Sequence, residues 1–442
     1  MRTVVVFGSG LVARPAIRVL LDTGHAVLVA TNQPEVARAM LEDHPHGEVV
    51  EVDAAVTGDV RAAVSRADAA VSLLPVAYHV MVAEACVAAK RPFVTTSYVS
   101  EEMRALDPDA RKAGVLLLNE IGADPGIDHM LTMRLLHRVE AEGGTVTGLY
   151  SVCGGIPAPE ARDNPFGYKI SWSPRGVVLA GRRPARYRRD GAIVHVGAFE
   201  IFGHPSPLVV DELGELEAYP NGDSIRFEDE YGLENPQTMF RGSLRWPGWC
   251  ETWSALTRLG YVDDSPDAAL PGATFGDETR RAAGAHEGES PRAAVARVLE
   301  LSEDHTILER LEWLGLFSET PVPASARSRC DLLVDRMEEK MRYAPGERDL
   351  VVLYHEVEYR NERGESRSLR ASLTEYGTPG GDSAMSRTVG LPAGIATRRI
   401  VDGSIREIGV QIPVLPSIYE RLLKDLADAG MAEVTDREPT GS

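Results

Sequence analysis

The run Val4-Val5-Val6-Phe7-Gly8-Ser9-Gly10-Leu11-Val12-Ala13 constrains this chain more than any other stretch of it. An apolar segment of strand length stops at a glycine turn. It then becomes a helix in which Val12, Ala16, Val19 and Leu20 recur at helical spacing until Gly24. A dinucleotide-binding unit begins this way. Gly8 permits the tight turn, Gly10 admits a pyrophosphate close to the backbone, and the small Ala13 lets the helix pack closely on the sheet. The helix N-terminus adds N–H donors and partial positive charge. Cofactor contacts are therefore assigned to Gly8, Ser9, Gly10, Leu11 and Val12.

From Met1 to about Asn119, strand and helix patterns alternate as in a doubly wound parallel sheet. The predicted strands are Thr3 to Phe7, Ala26 to Ala30, Glu48 to Val52, Ala69 to Leu74, Pro92 to Thr95 and Val115 to Asn119. The second ends in Thr31-Asn32-Gln33, with neither the acid that bonds a ribose 2′-hydroxyl nor an arginine for a 2′-phosphate. The missing carboxylate removes the main repulsion against a phosphate, and these side chains can donate. Thr31 and Asn32 therefore favour NADP(H), with NAD(H) left open. Arg14 either reaches that phosphate or lies on the surface. After the fourth strand, Leu74 and Pro75 border the cofactor; Tyr78 and His79 either line the nicotinamide pocket or open the next helix.

Two polar stretches follow strand ends, where open α/β sheets bind ligands: Thr95 to Ser100, and Asn119 to His129. The second holds Glu120, Asp124, Asp128 and His129, which could suggest a metal. Asp124-Pro125-Gly126 reads first as a turn and Asp128 as a helix cap, so no metal is expected. Asp124 precedes proline and is expected extended, facing the mouth of the sheet.

Beyond residue 143 the pattern turns mainly antiparallel: a strand from Thr145 to Cys153, a hairpin from Tyr187 to Val196 around Asp190-Gly191, and a second from Leu350 to Thr374 around Asn361 to Gly364. Between them lie three helices, one starting at Ser290-Pro291, one capped by Asp304, and one lined by Cys330, Leu333, Met337 and Met341. Gly272 to Ser290 reads as a mobile loop. The last helix carries an expected capping box, Ser417 and Glu420, and returns to the first domain; the tail from Asp436 to Ser442 is expected to fray.

A length of 442 residues implies more than one domain, and a net charge of -19 argues against a nucleic-acid partner. No apolar stretch reaches the roughly 20 residues of a membrane span. The chain opens directly on a core strand, and Cys86, Cys153, Cys250 and Cys330 are widely spaced. A cytoplasmic protein with reduced thiols and no membrane partner is expected.

Several long motifs together resemble the saccharopine reductase family: Gly8 to Pro15, Val94 to Ser100, Asn119 to His129, Cys153 to Glu160, Asp163 to Ser173 and Val389 to Ala393. The resemblance implies an α/β architecture in three parts. These are a Rossmann domain (1–124 and 391–442), an α+β substrate and dimerisation domain (125–250 and 346–390) and a helical insertion (251–345). It also implies a homodimer that uses NADPH to condense 2-aminoadipate semialdehyde with glutamate, giving saccharopine through an imine. Tyr98, Asp124 and Cys153 would be catalytic, and Ser97, Tyr98, Asp124, Cys153, Ser173, Arg175 and Arg241 would contact substrate.

Three departures bear on the substrate and cofactor. Gly222 stands where the family has the arginine of Pro-Asn-Arg-Asp-Ser, Pro174 replaces a serine, and Asn32 replaces an arginine. Losing an arginine clamp leaves two alternatives: Arg175, Arg241, Arg245 or Lys169 takes over the carboxylate, or the amine and carbonyl pair differs. A third reading is an NADP(H)-binding sensor without catalysis.

Overall fold

The computed structural model describes residues 1–431 and the strand Thr435–Arg437, and divides into two compact units, 1–146 with 355 onward, and 147–354. The first unit is built on a parallel sheet of β1 (Thr3–Phe7), β2 (Ala26–Thr31), β3 (Gly47–Glu51), β4 (Ala69–Ser72), β5 (Phe93–Thr95) and β6 (Leu116–Leu118). Their order, 3-2-1-4-5-6, is the doubly wound one, with the topological switch between β1 and β4. Val4 to Phe7 are completely buried, as a strand covered by helices on both faces must be. Helix α1 (Ala13–Asp22) turns Ala16, Ile17, Leu20 and Leu21 inward. The helix Ala384–Val401 packs on α1, where Gly390 and Gly394 bring it against Val12, Ala16 and Val19.

In the second unit, β7 (Thr145–Pro157) leads to the hairpin of β8 (Ala185–Arg189) and β9 (Ala192–Val196), then β10 (Ser206–Val210), β11 (Gly214–Pro220) and β12 (Thr238–Arg245). The sheet runs β10-β11-β12-β7 and on to β13 (Asp349–Arg360), whose residues up to Tyr354 belong to this unit. It is mixed within the mainly antiparallel pattern expected: β10–β11, β11–β12 and β8–β9 run antiparallel, while β7 and β12 run parallel. From His355, β13 continues in the first unit and turns at Asn361 into β14 (Ser366–Tyr376).

Several expected elements differ. A seventh strand, β15 (Gly409–Gln411), joins β6 in parallel at the sheet edge. The supposed mobile loop contains the helix Phe275–Ala282, held by a capping box of Thr274 and Asp277 and anchored by the fully buried Phe275. The cap before Thr306–Leu314 is His305, not Asp304. The last helix, Pro416–Asp428, starts at its proline with Leu415 as cap; the Ser417 hydroxyl donates to Glu407, so no Ser417–Glu420 box forms. Of the expected fraying tail, Asp436 and Arg437 pair with β14, and the rest lies outside the described residues.

Candidate active site

At the switch point, Gly8 adopts φ +100°, and a Cβ there would press on the Leu73 carbonyl at 3.1 Å. Only glycine fits this cradle. The first turn of α1 follows with no side chain capping its amides, and Leu11 is 73% exposed at the turn. This geometry fits a pyrophosphate, with Gly8, Gly10, Leu11 and Val12 supplying backbone. Ser9 and Thr31 are both buried and share a hydrogen bond of 2.8 Å, while Thr31 Oγ1 also accepts the Gln33 amide at 3.0 Å. Thr31 thus shapes the pocket wall, leaving Asn32 and Gln33 exposed at its rim. Arg14 is no spare cation: it donates to Glu42 at 2.7 Å and Asp382 at 2.9 Å. Leu74 and Pro75 follow β4 at the other side of the switch.

Two loops leave the same sheet edge beside this crevice. Past β5, Tyr98 is 39% exposed and its hydroxyl donates to Asp124 Oδ1 at 2.8 Å. Asp124 stands past β6, before a cis bond to Pro125. The structure therefore brings together the phenol and the carboxylate that the sequence placed on separate strands. Asp128, expected as a helix cap, instead accepts the Gly126 amide from within the helix Ile127–Ala141, whose cap is Gly126. Among the described residues no group of His, Cys, Asp or Glu has the arrangement of a metal site.

His79 opens the helix His79–Ala89 and is buried. Its Nδ1 meets Ser72 Oγ at 2.9 Å and its Nε2 meets Ser97 Oγ at 2.8 Å, so the ring braces Ser97, the residue before Tyr98. Burial pushes its pKa from 6.5 down to about 4. A depressed histidine binds its proton in the unfolded chain first, so stability falls as pH drops from 6.5 towards 4, by about 3 kcal/mol in all. His79→Gln is expected to flatten that acid limb in urea melts between about pH 7 and pH 4.5. An unchanged slope would show that other groups set it.

In the second unit, Cys153 of β7 stands opposite Ser243 of β12, and Glu217 of β11 stands opposite Arg245. Strand alternation puts Arg241, Ser243 and Arg245 on one face. Cys153 is half-buried. Arg241 is buried, with its guanidinium 4.0 Å above the Phe227 ring. Arg245 is only 6% exposed, and among Tyr168, Tyr219 and Trp249 its guanidinium carbon is 5.3 to 5.9 Å from each ring centroid. Its Nη1 donates to the Leu244 carbonyl, while its buried Nε and the Nε1 of Trp253 have no partner. No carboxylate among the described residues pairs with it; Glu217 accepts the Gly248 and Cys250 amides instead. Burial raises the Tyr168 phenol to about 12 and pushes Tyr219 upward too, so the surroundings of this cation are neutral.

The remaining expected substrate contacts have partners of their own. Ser173 Oγ accepts the Gly176 amide and caps the helix Pro174–Ala180. Arg175 is tied to Asp331 at 2.5 Å, and the buried Lys169 to Asp163 and Glu347. Gly222 adopts φ +68° with open space where a Cβ would be, and its carbonyl accepts the Arg186 amide.

A glycine cradle at the switch of a parallel sheet, with a phenol–carboxylate pair at the same edge, defines a dinucleotide-dependent oxidoreductase. Residues 4–118 match the family described as "Saccharopine dehydrogenase NADP binding domain", and residues 122–431 match "Saccharopine dehydrogenase C-terminal domain". The saccharopine dehydrogenase [NADP(+), L-glutamate-forming] of Pyricularia oryzae is 35% identical over 436 residues, 97% of either chain. Its namesake from Saccharomyces cerevisiae is 34% identical over 435 residues, again 97% of either chain. The solved apo structure of saccharopine dehydrogenase (L-Glu forming) from Saccharomyces cerevisiae superposes with a TM-score of 0.90 at 33% identity, covering 99% of this chain and 100% of that one. The chain belongs to the saccharopine dehydrogenase family and is an NADP-dependent oxidoreductase acting on CH–NH donors.

Proposed function

We propose that this enzyme condenses 2-aminoadipate semialdehyde with glutamate and reduces the resulting imine to saccharopine, and that it runs the reverse oxidation. The observation that carries the reading is the Tyr98–Asp124 pair, 2.8 Å apart at the sheet edge that Gly8 opens. NADPH, when bound on the Gly8–Val12 turn, supplies the hydride. The protein supplies the proton handling. Imine formation needs a neutral amine and the loss of one water from the carbinolamine, and both steps need a placed acid or base. Asp124 takes the amine proton, and Tyr98, already hydrogen-bonded to that carboxylate, relays it. Cys153 is assigned the role of a weak proton donor.

Arg245 takes a substrate carboxylate in place of the arginine that Gly222 lacks. Of the four candidates, Arg175 and Lys169 are already paired with carboxylates and Arg241 is stacked on the Phe227 ring, whereas Arg245 sits among neutral rings with no carboxylate partner among the described residues. Ser97, Ser173 and Arg241 complete the substrate contacts, and Thr31 and Asn32 the cofactor pocket. The enzyme works as a cytoplasmic homodimer, without nucleic-acid or membrane partners; the net charge of -19 supports the absence of a nucleic-acid partner.

Saccharopine offered with NADP is expected to yield reduced nicotinamide, glutamate and the semialdehyde, followed by absorbance and mass spectrometry. Inertness towards saccharopine, alongside NADPH turnover on another amine and aldehyde pair, would establish a different substrate. Tight NADPH binding with no turnover on any pair would mark a sensor.

A further inference from the structure

Behind the Tyr98–Asp124 pair lies a buried polar cluster with no part in the proton transfers: Glu120, Asp128 and His129, each at most 2% exposed. Glu120 has φ +60°, a left-handed conformation that glycine or asparagine would adopt at less cost. The strained backbone and the buried carboxylate both serve the neighbouring loop. The Glu120 amide donates to the Ser97 carbonyl at 3.2 Å, and its Oε1 accepts the Val99 amide at 3.0 Å. One residue thus grips the chain on both sides of Tyr98.

The second carboxylate oxygen faces the other loop. Oε2 lies 2.7 Å from His129 Nε2, on the helix that follows Asp124. The adjoining Asp128 ties the same loop, its amide donating to Ala123 at 3.1 Å and its Oδ1 accepting the Gly126 amide. Asp124 is therefore bracketed between Ala123 and Gly126 by Asp128, as Tyr98 is between Ser97 and Val99 by Glu120. Glu120 holds its own bracket directly and reaches the second through His129, the residue beside Asp128.

We infer that Glu120 is a positioning residue: its carboxylate joins the Val99 amide to the His129 ring and so fixes the two loops at the separation where Tyr98 and Asp124 meet. It needs no contact with substrate. This rests on the proposed roles of Tyr98 and Asp124, since misplacing such a pair by about 1 Å is enough to slow a reaction about 100-fold.

The test is a double-mutant cycle. Glu120→Ala is expected to lower kcat about 10- to 100-fold while the Kd for NADPH, read by fluorescence, stays within twofold. Tyr98→Phe combined with Glu120→Ala should be scarcely slower than Tyr98→Phe alone, because the second change removes only what the first has already forfeited. Glu120→Gln, which keeps an acceptor for Val99, should recover most of the rate. Crystals of Glu120→Ala should show the Tyr98 hydroxyl out of hydrogen-bond reach of Asp124. Additive losses, a fall in NADPH affinity as large as that in kcat, or an intact Tyr98–Asp124 bond in the variant would each overturn the inference. If Glu120→Ala does not fold, His129→Asn should show the same kcat signature, and its absence counts equally against. A wild type inert on saccharopine defeats the proposed activity, whereas the crystal distance still decides the role of Glu120.

Discussion

Asp124→Asn is expected to lower turnover by a factor of roughly 100 to 10,000, the usual contribution of a placed acid–base group, with NADPH affinity unchanged. The amide is nearly the size of the carboxylate, and its oxygen can still accept the Tyr98 hydroxyl now held at 2.8 Å. What disappears is the ability to take the amine proton, so the loss should fall on kcat and kcat/KM together. Tyr98→Phe leaves Asp124 ionisable and removes only the relay, so its deficit should be smaller. Steady-state rates with saccharopine and NADP, alongside fluorescence titration with NADPH, decide the matter. Turnover of Asp124→Asn within threefold of wild type would remove Asp124 from the chemistry.

Much of this site is legible in the sequence because parallel sheets put function where strands end. Strand ends mark the stretches after β5 and β6, and the family resemblance picks Tyr98 and Asp124 out of them; the sheet order makes those ends neighbours. Glu120 and His129 stand out in the sequence only as residue types that could bind a metal, because the signal of a buried pair nine residues apart depends on a left-handed backbone that only the folded loop reveals. His129 does sit among the apolar residues Ile127, Met130 and Leu131, which is the hint that its ring is inside. Other misses share a cause. Gly409–Gln411 is too short for periodicity and is a strand only because the edge of β6 recruits it. The helix Phe275–Ala282 is hidden by glycine and charge on its flanks, and its stability comes from a capping box and one buried phenylalanine. Arg14 was open to a phosphate in sequence terms; two carboxylates distant in the chain, Glu42 and Asp382, claim it in the fold.

Arg245→Met should separate binding from stability in an unusual direction. Arg245 is a cation buried to 6% exposure, with neutral aromatic neighbours and no carboxylate partner among the described residues. Burying an uncompensated charge costs stability, so an apolar side chain of similar length should leave the melting temperature unchanged or raise it. Substrate binding should suffer heavily. Removing one side of a buried charge pair costs about 2 to 5 kcal/mol, so KM for saccharopine should rise roughly 30- to 4,000-fold while the Kd for NADPH holds. Arg245→Lys should recover little, because an ammonium lacks the planar fork that grips a carboxylate through two bonds. A drop in melting temperature with KM preserved would reverse the assignment and make Arg245 a structural cation held by its aromatic cage. The opposite pair of results would explain how a chain with Gly222 in place of the expected arginine can still hold a dicarboxylic amino acid: the charge it needs is on β12.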